Sequence, residues 1–251
     1  MATTTAAVPQ TPQSMGAFAR IFGVLFNPRP TFEDIARKPG WLAPLLTIMI
    51  FSITLGAIMG QRVDWQAVAQ RQVAKSHFAA AQIAKLPPDQ QQAALNRQAI
   101  AGKVGVYVAG VVFPVILALI LGAIFMGLFN ASGAGVSFFQ SFSLMSYGLL
   151  PLALKAILGI PVVLMKDPSA IDPQNYIASN LGALMPSDAA LWKVGLATSI
   201  DIFVLWSVVL AAIAYSAANP KKISFGKALG ITFGVFAGFT LIFTAIGAAF
   251  S

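Results

Sequence analysis

Phe138-Phe-Gln-Ser-Phe-Ser-Leu-Met-Ser-Tyr147-Gly-Leu-Leu-Pro151-Leu-Ala-Leu-Lys155-Ala-Ile-Leu-Gly-Ile-Pro161-Val-Val-Leu164 is long and apolar enough to cross a bilayer, yet it holds a glutamine, a lysine and two prolines. A charge and helix-breaking residues at hydrocarbon depth need protein neighbours to satisfy them. The segment therefore predicts a helix lying among other helices, and with it an all-α, polytopic integral membrane protein.

The rest of the composition agrees. Hydrophobic residues make up 57% of the 251, charged residues only 10%, and the mean hydropathy is +0.78. Soluble proteins carry about 25% charged residues, so this chain cannot cover a water-facing surface. The net charge of +8 would suggest nucleic acid in a soluble protein. Among membrane spans, basic flanks set orientation and attract anionic headgroups, so no nucleic-acid partner is expected and membrane lipid is. The absence of cysteine excludes disulfides, thiolate catalysis and cysteine metal sites.

Residues 1–13 are rich in Ala, Thr, Pro and Gln and are expected to be a disordered tail. With no basic n-region and with Pro9 and Pro12, the start of the chain does not read as a cleaved signal peptide. Residues 14–251 then read as one membrane domain. Met15, Phe18, Phe22, Leu25 and Phe26 recur at helical spacing with Arg20 on another face, an interfacial helix too short to span. Asn27-Pro28-Arg29-Pro30 breaks it, and Thr31-Phe-Glu-Asp34 has the form of a capping box, which gives Glu33 and Asp34 structural roles at a helix start.

Five spans are expected, over about 42–60, 104–129, 138–164, 191–217 and 227–250. Pro44 falls in the first turn of the first, and Pro114 is a candidate kink in the second. Between these two spans, residues 61–103 hold nine glutamines, six basic residues and His77, and predict an extramembrane helical hairpin turning at Leu86-Pro-Pro-Asp89. Asn130-Ala-Ser132 matches a glycosylation acceptor in a short turn. Asp167, Pro168, Asp172, Pro173, Pro186 and Asp188 suit turns in the loop before the fourth span. Gly226, Gly230, Gly234 and Gly238 share one face of the fifth span, a surface for close helix packing within the chain or for a second copy. The Arg37-Lys38 and Lys221-Lys222-Lys227 clusters favour a cytoplasmic N-terminus in a cell (inner) membrane.

Chemistry has few candidates. Lys155 in the third span and Asp201 in the fourth lie at matching depth, about 13 and 15 Å from the span ends they share, so antiparallel helices can join them in an ion pair. Such a pair can fix register or serve a polar pathway. The eight acids are scattered and there is one histidine, so no catalytic residues, metal site or cofactor are expected.

The entry segment Phe18-Ala-Arg-Ile-Phe-Gly-Val-Leu-Phe-Asn-Pro28, then Thr31-Phe-Glu-Asp-Ile35, and Tyr147-Gly148-Leu-Leu-Pro151 in the third span, together resemble the Yip-one domain family of Ypt/Rab-interacting membrane proteins. The hairpin and its Leu86-Pro-Pro-Asp89 turn look like the insert of bacterial members. The resemblance implies five helices, a cytosolic N-terminus and a non-enzymatic role. The long acidic N-terminal region of eukaryotic members is missing, which argues against Rab GTPase binding. A membrane-organising or trafficking-type scaffold acting through lipid or partner contacts is the leading expectation. A small transporter or channel using the buried polar residues comes second, and a lipid-modifying enzyme third.

Overall fold

The computed structural model describes residues 14–186 and 189–249, which fold as helices and turns with no strand among them. The expectations for the tail, for Asp188 and for the last two residues fall outside the described residues.

The interfacial helix α1 (Ala17–Phe26) follows Gly16 and ends at Asn27. Phe18, Phe22 and Phe26 point away from the protein at 79%, 60% and 80% exposure, while Val24 and Arg20 are buried against it. The break expected at Asn27 lasts one residue, because Pro28 has the fixed φ of a first helical position and starts α2 (Pro28–Arg37). The predicted capping box is therefore displaced. Thr31 sits one turn into α2 and its hydroxyl donates back to the Asn27 carbonyl at 2.8 Å, and Asp34 is committed elsewhere. Phe32 and Ile35 drive α2 into the main core, so this short polar helix is a buried strut.

The first expected span is α3 (Leu42–Arg62). The first arm of the hairpin is two helices, α4 (Trp65–Lys75) and α5 (His77–Ala84), because Ser76 ends one and its hydroxyl caps the next. The second arm runs unbroken into the second span as α6 (Pro88–Ala131). Its 44 residues reach about 66 Å, twice the hydrocarbon thickness, and Pro114 lies within it without ending it.

The 138–164 stretch is two helices in line, α7 (Phe138–Gly148) and α8 (Pro151–Met165), joined by a turn at Leu149 and Leu150, where Pro151 restarts the helix. The fourth expected span is corrected more strongly. It is a short α9 (Leu191–Ser199), a break at Ile200 and Asp201, and α10 (Ile202–Ala218). Finally α11 (Phe225–Ala249) takes the fifth place. Among the described residues four segments are long and apolar enough to cross a membrane: α3, α6, α7 with α8, and α11. At 17 residues α10 is an apolar helix shorter than these.

Two apolar clusters hold the bundle. The larger joins α2, α3, α6, α7 and α10 around Phe32, Leu45, Phe129, Leu144 and Tyr215. The smaller, at the hairpin end, gathers Leu55, Met59, Val163 and Ile171. Helix α3 crosses α6 where Gly56 faces the Val106 backbone and Gly110 faces that of Ser52 and Ile53; a Cβ on Gly56 would come within 2.8 Å of the Val106 carbonyl oxygen, so these glycines set the approach. The packing role expected of Gly226, Gly230, Gly234 and Gly238 is not used inside the chain, since a Cβ on any of them would meet nothing within 4 Å.

Candidate functional site

Helix α10 starts at Asp201 because an aspartate before an apolar run is a strong N-cap. Its Oδ1 accepts from the backbone N–H groups of Phe203 and Val204 at 2.9 and 3.3 Å. Its Oδ2 accepts from Lys155 Nζ at 2.8 Å and from the Ser179 hydroxyl. Thus Lys155 and Asp201 do meet, but at a helix break and not midway along a continuous span. Asp201 is 1% exposed and four donors converge on it, the condition under which a buried carboxylate can stay charged.

The loop expected to hold only turns builds the other half of this site. Residues 166–180 fold back onto the bundle, burying Ile171 and Asn180. Tyr176 lies against Gly159, and Lys155 Nζ stands 5.7 Å from its ring centroid. Burial, and then the Asp201 charge, push the Tyr176 hydroxyl up to about 12, so it is a neutral phenol at physiological pH. The loop is strapped in place by cations. Arg71 donates to the carbonyls of Ser169 and Ile171, Arg62 to that of Lys166, and Lys166 Nζ to that of Tyr176 at 3.1 Å. The Ser169 side chain and then its N–H, both donating to Asp167, hold that carboxyl below its usual range.

A second buried pair lies at the other end of the molecule. Arg20, expected on a face away from the apolar stripe, is 8% exposed and places Nε and a terminal nitrogen each 2.8 Å from Asp34 Oδ2. Met15 N–H donates to the same oxygen at 3.2 Å, and Arg37 stands 3.8 Å from Oδ1. Tyr147 of α7 is buried close to both Arg20 and Asp34, and Gln140 donates to the Ala36 carbonyl at 2.8 Å. The three stretches that carry the family resemblance therefore meet in one cluster, which docks α1 on the bundle. Pro28 and Pro151 begin α2 and α8, and Gly148 lets α7 lie against Ala211 of α10.

The remaining candidates have structural roles. The Asn130 side chain both donates to and accepts from the backbone of Val136, closing the α6–α7 turn, so its amide is committed and the acceptor motif is explained as a turn. Tyr215, near the end of α10, is buried and stacked on Phe129 at 4.2 Å. Among the described residues no group of three or more potential metal ligands gathers. Asp201 could have been found as a helix start from the polar residue ahead of the run Ile202–Leu205. Tyr176 and Ser179 carry no local signal, since only the return of the loop brings them to the pair.

Comparison with known proteins places this architecture. The Yip1 domain profile matches residues 22–247. Membrane protein YknW of Bacillus subtilis (strain 168) is 24% identical over 223 residues, covering 88% of each chain. No solved structure matches.

Proposed function

The chain belongs to the Yip1 domain family, and on that premise we propose that it acts without catalysis, as a membrane-organising scaffold working through lipid and partner contacts at its interfacial helix. The observation that carries this reading is the construction of α1. Three phenylalanines one turn apart face outward, and the helix bearing them is fastened through Arg20 and Asp34 to a strut buried in the core. A helix inserted in the interface acts on the bilayer only if it cannot swing away, and this attachment resists swinging.

The arrangement of charge supports a cytoplasmic N-terminus in a cell membrane. Arg37, Lys38 and the lysines of the 219–227 turn gather at one end, where Asn219 donates to the Ala134 carbonyl and Gln140 to that of Ala36. At the hairpin end Arg62 and Arg71 are occupied by loop carbonyls. Transport through Lys155 has less support. The bundle holds an apolar cavity of about 390 Å³, and neither Lys155 nor Asp201 borders it.

The test is reconstitution in liposomes of mixed diameter, sorting protein density against vesicle size. The native chain should concentrate on small vesicles. The triple variant Phe18→Ser, Phe22→Ser, Phe26→Ser should lose most of that preference while keeping its helical content. Equal sorting of the two proteins, or solute flux that depends on Lys155, would overturn the reading.

A further inference from the structure

The apolar cavity and the basic turn beside it belong together. The cavity is a slot between α6 and α11, which barely touch, floored by α8 and α10. It runs from Phe125 to Phe113 on α6 and from Thr232 to Phe243 on α11, with Leu152 and Val208 behind. The 11 residue steps from Thr232 to Phe243 span about 16 Å, the depth of one leaflet's hydrocarbon. The polar side chains on its wall are satisfied within their own helices, Ser207 donating to the Phe203 carbonyl at 3.0 Å and Thr232 to that of Leu229 at 3.2 Å. Nothing there recruits water, so the slot suits hydrocarbon.

At its basic end Lys227 stands about 8 Å beyond Thr232 along α11, and Lys221 and Lys222 lie in the turn before that helix, all three exposed. Lys227 Nζ lies 3.5 Å from the Ser132 carbonyl and the Lys222 side chain runs past Gly133, so the cations bridge the ends of the two helices that border the slot. Among the described residues no ion pair involves any of the three.

We propose that the α6–α11 slot binds one anionic phospholipid, with an acyl chain between the helices and the headgroup phosphate on Lys221, Lys222 and Lys227. Charge complementarity favours lipid over a second copy of the chain. A parallel copy seated in the slot would bring two such lysine clusters together, and like charges at an interface oppose association. The site does not depend on α1 or on the scaffold reading.

Native mass spectrometry of the full chain in mild detergent tests this, with titration of phosphatidylglycerol and phosphatidylcholine of equal chain length. The native chain should retain one phosphatidylglycerol under activation that strips phosphatidylcholine. Replacing all three lysines with alanine should weaken phosphatidylglycerol about tenfold or more without changing phosphatidylcholine, and arginine at the same positions should restore it. Leu121→Trp and Val235→Trp, each filling the slot from a different helix, should weaken both lipids; circular-dichroism melting identifies a variant that fails to fold, and the other then stands for the pair. Equal binding of both lipids by all variants would mean annular lipid only and would overturn the site. So would a dimer that only the slot variants abolish, or displacement by inorganic phosphate with no effect of filling the slot.

Discussion

The two buried ion pairs among the described residues differ in what they hold and in how they are made. Arg20 and Asp34 are 14 residues apart on consecutive short helices, and the guanidinium reaches one carboxylate oxygen through two nitrogens. Lys155 and Asp201 are 46 residues apart, joined by a single ammonium contact, with Ser179 and two backbone N–H groups completing the carboxylate. The first pair fastens a surface helix; the second neutralises a helix break beneath a folded-back loop. A buried pair contributes little net stability over apolar residues of similar volume, but losing one partner strands the other, so each pair penalises any packing that separates its members.

Breaking the pairs should rank them. Asp201→Ala removes the α10 cap and leaves the partly buried Lys155 without its partner, and should cost about 4 kcal/mol in reversible unfolding in detergent. The double variant Lys155→Met, Asp201→Asn removes both charges and keeps a capping side chain, and should recover most of that loss. Arg20→Lys should cost less, about 2 kcal/mol, because Asp34 keeps Arg37 nearby while the ammonium cannot reproduce the fork. Ser179→Ala should cost about 1.5 kcal/mol by removing one hydrogen bond to a charged group. The effect of Tyr176 is confined to alkaline pH. A phenol whose pKa rises on folding from about 10 stabilises the fold below pH 10 and gives this up as the pH climbs toward 12. Melting temperature should therefore fall less between pH 10 and 12 in Tyr176→Phe than in the native chain.

The same contrast shows what can be read from the sequence. Lys155 and Asp201 interrupt long apolar runs, where a charge demands a partner, so the pair is legible in the residues themselves. Arg20 sits in a ten-residue amphipathic helix, where a basic residue reads as solvated, and Asp34 sits where a helix start explains it. Their meeting depends on how α1 folds back over α2, which no periodicity encodes. Hydropathy finds the apolar segments but not the break at Asp201, because Trp192 to Ile200 remains apolar enough to hide a polar cap within a span-length window. Glycine spacing points to α11, whose glycines face outward, while the close approach of α3 and α6 falls at Gly56 and Gly110, marked in the sequence only by the single Gly56–Gly60 repeat. The Ser179 and Tyr176 contacts arise from tertiary return of a loop.

The central claim is that α1 is an interfacial helix held by Arg20. The natural chain has no cysteine, so Phe22→Cys gives a single site for a nitroxide label whose depth follows from its accessibility to oxygen and to a water-soluble nickel complex. In the otherwise native chain the label should be immobilised and reached by oxygen; with Arg20→Ala added it should become mobile and open to nickel. A label exposed to water in the native background, or one whose depth and mobility do not change when Arg20 is removed, would contradict the account.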